Sequence, residues 1–112
     1  MSRQQIHAAL ACALACALAC VTNAVHADVE AGRAKARLCA VCHGEAGISV
    51  VPNVPNLAGQ PDVYLAQQLK AYRSGKRSDE TMNIIAKPLT DADVADLAAW
   101  YASIAIEAKP SK

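Results

Sequence analysis

The chain has 112 residues, enough for one domain, and its formal net charge is +1. Ten of the eleven Lys/Arg and all ten Asp/Glu lie beyond residue 27, so that part is electrically neutral. Neutrality removes the electrostatic basis for nucleic acid or an anionic membrane surface as a partner.

Residues 1–27 read as a secretory signal peptide. A short polar start carries Arg3, an apolar run extends from about Ala8 to Val21, and small residues follow. The run is shorter than the ~20 apolar residues of a membrane-spanning helix. The small side chains around Ala27 place the cut after that residue, leaving 28–112 as the mature domain. A retained amphipathic or anchoring helix is the competing reading. Cys12, Cys16 and Cys20 belong to a repeating Ala-Leu-Ala-Cys phrase that is simply apolar and small. A lipid-anchoring signal usually has Leu three residues before its Cys; here Leu10, Leu14 and Leu18 each stand two before. Export implies a periplasmic location.

Asp28-Val29-Glu30 opens a helical stretch that runs through Gly32 and Ala36 to about Cys42, with acidic residues suited to its start. Gly44 and Gly47 end it. From Ile48 to Gln60 the chain carries Pro52, Pro55 and Gly59 without a sustained period, as an ordered loop does. Pro61-Asp62 starts a second helix that continues to Gly75, with Leu65, Leu69 and Tyr72 on its inner stripe. Gly75 to Leu89 reads as a second loop, containing Met82 and Pro88. Thr90 then caps a third helix, with Asp93 at the capping-box position. Val94, Leu97, Ala98, Tyr101 and Ile104 share one face of it. There is no internal repeat and no strand pattern.

Three helices and two long loops make an uneasy domain, because long structureless loops are uncommon in compact proteins. The chain also has no Phe and one Trp, too little for a core of side chains alone. A large buried cofactor answers both difficulties.

Cys39-Ala40-Val41-Cys42-His43 is the C-x-x-C-H pattern of c-type haem attachment. Positions i, i+3 and i+4 share one face of a helix. Two thiols so placed can each reach a vinyl group of one haem, and the histidine comes up beneath the iron. A thiol–disulfide centre would normally come with a βαβ pattern, which is absent. A structural zinc site wants four ligands; beyond residue 27 only these three residues of the usual type remain. The sixth iron ligand must come from Met82, a lysine such as Lys76 or Lys87, a terminal amine or water. Lysine must first lose a proton from a pKa of about 10.4, whereas a thioether is soft and carries no such cost.

From Asp28 to about Ile104 the chain resembles the class I cytochromes c, and most of all the small bacterial periplasmic carriers and the single domains of tandem dihaem cytochromes. The resemblance rests on DVEAGRAKARLCAVCHG, on PNLAGQ at 55–60, on MNIIAKPLTDADVADLAAWYASI and on the order of these blocks. It implies an all-α class I cytochrome c fold, three main helices and long loops wrapped around one covalent haem. It implies haem c joined through Cys39 and Cys42, with His43 and Met82 as axial ligands. Asn83, next in the chain after Met82, is placed to orient that loop. Pro55 matches the proline whose carbonyl accepts the ligand histidine's N–H, although Pro52 is a nearby rival. Leu57 matches a residue packed on the haem face, and Gly32 the small residue where the first helix crosses the last near Leu97 and Trp100. Tyr64 and Tyr72 are candidates to line the haem crevice or bond a propionate, with simple helix packing as the equal alternative. Arg73, Lys76 and Arg77 form a basic cluster that either steers an acidic redox partner or is a solvated loop.

The function so implied is one-electron transfer between periplasmic or membrane redox partners, with no substrate at the iron and at most peripheral contact with membrane complexes. Three alternatives stand beside it: the haem-bearing subunit of a dehydrogenase, an open-site gas-binding haem protein, and a thiol redox module without haem.

Overall fold

The computed structural model describes Arg3 and residues 24–111. Most of the expected signal segment, with Cys12, Cys16 and Cys20, lies outside the described residues. Residues 24–111 form five helices and no strand: α1 Val29–Lys35, α2 Arg37–His43, α3 Asp62–Ser74, α4 Glu80–Ala86 and α5 Asp91–Ser103. Among the described residues, no helix is long and apolar enough to cross a membrane.

The all-α class agrees with expectation, but two elements differ. The first helix is interrupted at Ala36, where ψ is −9°. Bonds from Ala36 N–H to Gly32 O and from Ala40 N–H to Ala36 O carry the chain through the break (both 2.9 Å). The expected second loop contains a two-turn helix, α4, so Met82 is helical. Asp79 starts α4 by accepting from the N–H groups of Thr81 and Met82, two of the donors a helix start leaves open. Seven residues are too few to show a clear 3.6-residue period.

Capping sets the other boundaries. Asp28 caps α1 by accepting from Ala31 N–H at 3.0 Å. Thr90 and Asp93 form the expected reciprocal box at the start of α5. Gly75 ends α3 with φ +82°, a left-handed turn that costs glycine little.

The helices converge where α1 crosses α5. A Cβ on Gly32 would run into the Asp96 carbonyl and lie 2.9 Å from Trp100 Cβ, so glycine is what permits this approach. The opposing atoms are the Asp96 backbone and the Trp100 Cβ. Asp96 is 6% exposed and ties three pieces of chain together. One carboxylate oxygen accepts from Asp28 N–H at 2.8 Å and the other from Lys35 Nζ at 2.6 Å, while Lys35 also reaches Asp93 at 2.9 Å. The Lys35 hydrogen bond, then the Asp28 N–H, lowers the Asp96 pKa. The Thr90 N–H, then Lys35, pushes Asp93 down to about 2.

Carboxylates with depressed folded pKa values contribute stability that is complete above their unfolded values, about 4, and lost as pH falls through the folded ones. Asp96→Asn is therefore expected to start less stable at neutral pH and to lose less than the parent between pH 4 and pH 2. Urea unfolding across that range measures both slopes; parallel curves would show that Asp96 is uncoupled.

The side-chain core is thin. Leu97 and Val94 are its largest fully buried members, with Ala36, Leu65, Ala98 and Tyr101 around them. Leu57, Leu69 and Cys39 pack against the cluster of Ala36, Leu65, Leu97, Ala98 and Tyr101. Against that, Val41 is 75% exposed, Ile84 73% and Leu38 64%, a poor return on the apolar residues available.

Candidate functional site

Helix α2 presents Cys39, Cys42 and His43 at i, i+3 and i+4. The two thiols are free and half-buried, and His43 is 8% exposed. Just beyond it Gly44 takes φ +83°, where a Cβ would overlap the Ile48 carbonyl; only glycine fits this reversal. The following loop is held by short-range bonds. Leu57 and Ala58 N–H both donate to Gly47 O (2.8 and 3.1 Å). Ser49 Oγ donates to Cys42 O at 3.0 Å, and Ser49 N–H donates to Asn56 Oδ1 at 2.8 Å.

That loop brings Pro55 back to the histidine: His43 Nδ1–H donates to Pro55 O at 2.8 Å. A carbonyl oxygen can only accept, so Nδ1 carries the proton and Nε2 keeps its lone pair available for a metal. Pro55, and not its rival Pro52, supplies the carbonyl.

Cys39 lies against the core, and burial pushes its thiol pKa up. Beside it the Tyr101 hydroxyl is fully buried and makes no hydrogen bond of ordinary geometry. Burial first, and the neighbouring Cys39 second, push that phenol well above its usual range. Tyr101 was legible in the sequence only as a core position. Its spacing from Leu97 places it on the inner face, but the sequence does not show which residue it meets there.

The fold thus gathers Cys39, Cys42, His43, Pro55 and Leu57 around α2 and its loop, with Tyr101 across from Cys39. Met82, half-buried, is presented from a separate element, α4, which packs on α3. A broad depression of about 900 Å³, lined in part by Arg33, Arg37, Glu45 and Trp100, includes none of these residues.

The basic cluster is mostly structural. Arg73 donates to Leu89 O at 3.0 Å and to Asp91 at 2.7 Å, and that guanidinium lowers the Asp91 pKa. Arg77 donates to Gln68 Oε1 at 2.7 Å and lies 4.7 Å from the Tyr72 ring centroid. Tyr72 is therefore a seat for Arg77, and Tyr64 is 45% exposed.

The cytochrome c family model matches residues 29–105. The chain belongs to the cytochrome c family. Covalent haem c is the cofactor that membership implies. Cytochrome c4 from Pseudomonas aeruginosa is 45% identical over 84 residues, covering 73% of this chain and 42% of the relative. Cytochrome c-554(548) from Halomonas halodenitrificans is 43% identical over 79 residues, covering 68% of this chain and 95% of the relative. A thiosulfate dehydrogenase electron acceptor from Thiomonas intermedia is 38% identical over 78 residues, covering 69% of this chain and 36% of the relative. The crystal structure of reduced cytochrome c4 from Pseudomonas stutzeri superposes with a TM-score of 0.67 at 37% identity, covering 71% of this chain and 47% of that one. The chain spans about two fifths of the length of the cytochrome c4 relatives it matches and nearly all of cytochrome c-554(548).

Proposed function

We propose that this cytochrome c family member is an exported one-electron carrier, not an enzyme, holding one haem c through Cys39 and Cys42 with His43 and Met82 as axial ligands. The observation that carries the reading is the His43–Pro55 bond beside two free thiols on the same helix face. One further feature favours a large apolar group here: a side-chain core too thin for the chain. When bound, haem supplies an iron centre that gains and loses one electron. The protein's part is to hold it. Pro55 O fixes the plane of the imidazole and raises the basicity of Nε2. Leu57 and the core behind Cys39 supply apolar contact that keeps water away. Met82 offers a neutral thioether, which raises the reduction potential relative to harder ligands. Held by both His43 and Met82, the group would keep no open place for a substrate.

Residues 1–27 direct export, and the mature chain of 28–112 works in the periplasm between donor and acceptor redox proteins, with at most peripheral contact with membrane redox complexes. The likeness to a thiosulfate dehydrogenase electron acceptor favours a second context, a carrier dedicated to one dehydrogenase. Intact-mass analysis of the exported protein tests both cofactor and processing: the expected mass is residues 28–112 plus one haem. A redox titration should then fit a single one-electron wave. A mass retaining residues 1–27 overturns the cleavage site; a mass without haem overturns the function. Co-purification with a larger dehydrogenase from the native host would establish the dedicated context.

A further inference from the structure

We propose that Asn83 is the positioning residue for Met82, fixing how firmly the thioether is held at iron. The inference rests on the reading of Met82 as an axial ligand.

Helix α4 has seven residues, too few to hold itself in shape or place. Asp79 caps its start, with Oδ1 accepting from Met82 N–H at 2.8 Å, but Asp79 is itself held from within the helix. Asn83 Oδ1 accepts from Asp79 N–H at 2.7 Å. The Asn83 amide nitrogen donates to Tyr72 O at 2.8 Å and to Arg77 O at 2.9 Å. Those partners fix the amide's orientation, because two are carbonyls and the third is an N–H. One side chain, adjacent to Met82, therefore joins three backbone groups in the end of α3, the connecting turn and the start of α4.

The anchor points are firm. The Tyr72 carbonyl belongs to the last turn of α3, where acceptors lack full helical partners; its other bond, from Gly75 N–H, is long at 3.3 Å. Arg77 is braced through its N–H to Ala71 O (3.1 Å) and through its guanidinium to Gln68. Downstream, Arg73 holds Leu89 O. The Met82 segment is thus clamped to α3 at both ends, and Asn83 forms the clamp on the ligand's side.

The test uses the haem-loaded protein and the variants Asn83→Leu and Asn83→Asp. Leucine keeps the branched shape and removes all three bonds. Aspartate keeps the acceptor for Asp79 N–H but turns oxygens toward two carbonyls. Losing these bonds should raise the fraction of molecules with Met82 detached about tenfold or more. The expected result is faster carbon monoxide binding by that factor in the reduced protein, with a weakened far-red sulfur-to-iron band in the oxidised one. Asp96→Asn serves as the control, since it lowers stability through the α1–α5 contact; it should keep the parent's band and binding rate. If either Asn83 variant folds and retains both, whatever its thermal midpoint, Asn83 is merely structural and the proposal is overturned. Should Met82→Ala itself leave band and rate unchanged, the ligand reading fails first and this one with it.

Discussion

Met82→Ala is expected to remove the far-red sulfur-to-ferric-iron band, lower the reduction potential and open the reduced protein to carbon monoxide. Beyond residue 27 the sequence contains one histidine and one methionine, so the thioether has few rivals. An ordinary lysine ammonium keeps its proton at neutral pH, and water would leave the iron open. Met82 is half-buried on a helix whose first turn is capped by Asp79 and braced by Asn83, a setting that holds a side chain in one place. Axial ligands tune haem potentials over a range of about 0.8 V, and methionine lies toward the high end. Its loss should therefore lower the potential by on the order of 100 mV or more. Visible spectroscopy, a redox titration and carbon monoxide mixing measure the three effects. An unchanged band and potential would return the choice to lysine ligation or an open site.

Replacing both attachment cysteines, Cys39→Ala with Cys42→Ala, should abolish cooperative thermal unfolding of the domain. Apart from Leu97, Val94, Leu65 and Tyr101, its buried apolar side chains are alanines, and ten large apolar residues among the described residues beyond 27 are exposed. Burial worth ~25 cal/mol per Å² cannot offset a backbone entropy cost of ~1–2 kcal/mol per residue on so small a base. The missing apolar contact is what the haem supplies, so losing it forfeits the whole ~5–15 kcal/mol typical of a small domain. Circular dichroism followed through heating measures the transition. A sharp transition with near-native helix content would make the haem an accessory to a self-sufficient fold.

The sequence alone determined whatever depends on short-range spacing. The Cys39–Cys42–His43 register follows from helical geometry, and the Thr90–Asp93 box from a helix start needing partners for its open N–H groups. The Gly44 and Gly75 stops follow from the left-handed backbone each adopts. Likewise the shortage of aromatic residues already called for a cofactor-sized filling. Tertiary structure decided the rest. It chose Pro55 over Pro52, because the loop's return is set by Gly47 O receiving Leu57 and Ala58. It turned a charged residue on α5, Asp96, into a buried junction for Asp28 and Lys35, partners more than sixty positions away. It made Arg73 and Arg77 braces, where the sequence offered a solvated loop or a docking patch. And it drew the Met82 segment into a helix, because Asp79 and Asn83 find partners across a turn. Local pattern encodes what one or two turns of backbone can satisfy by themselves. Which polar group meets which across the domain is settled only when packing brings distant segments together and sets which donor lies within reach of which acceptor.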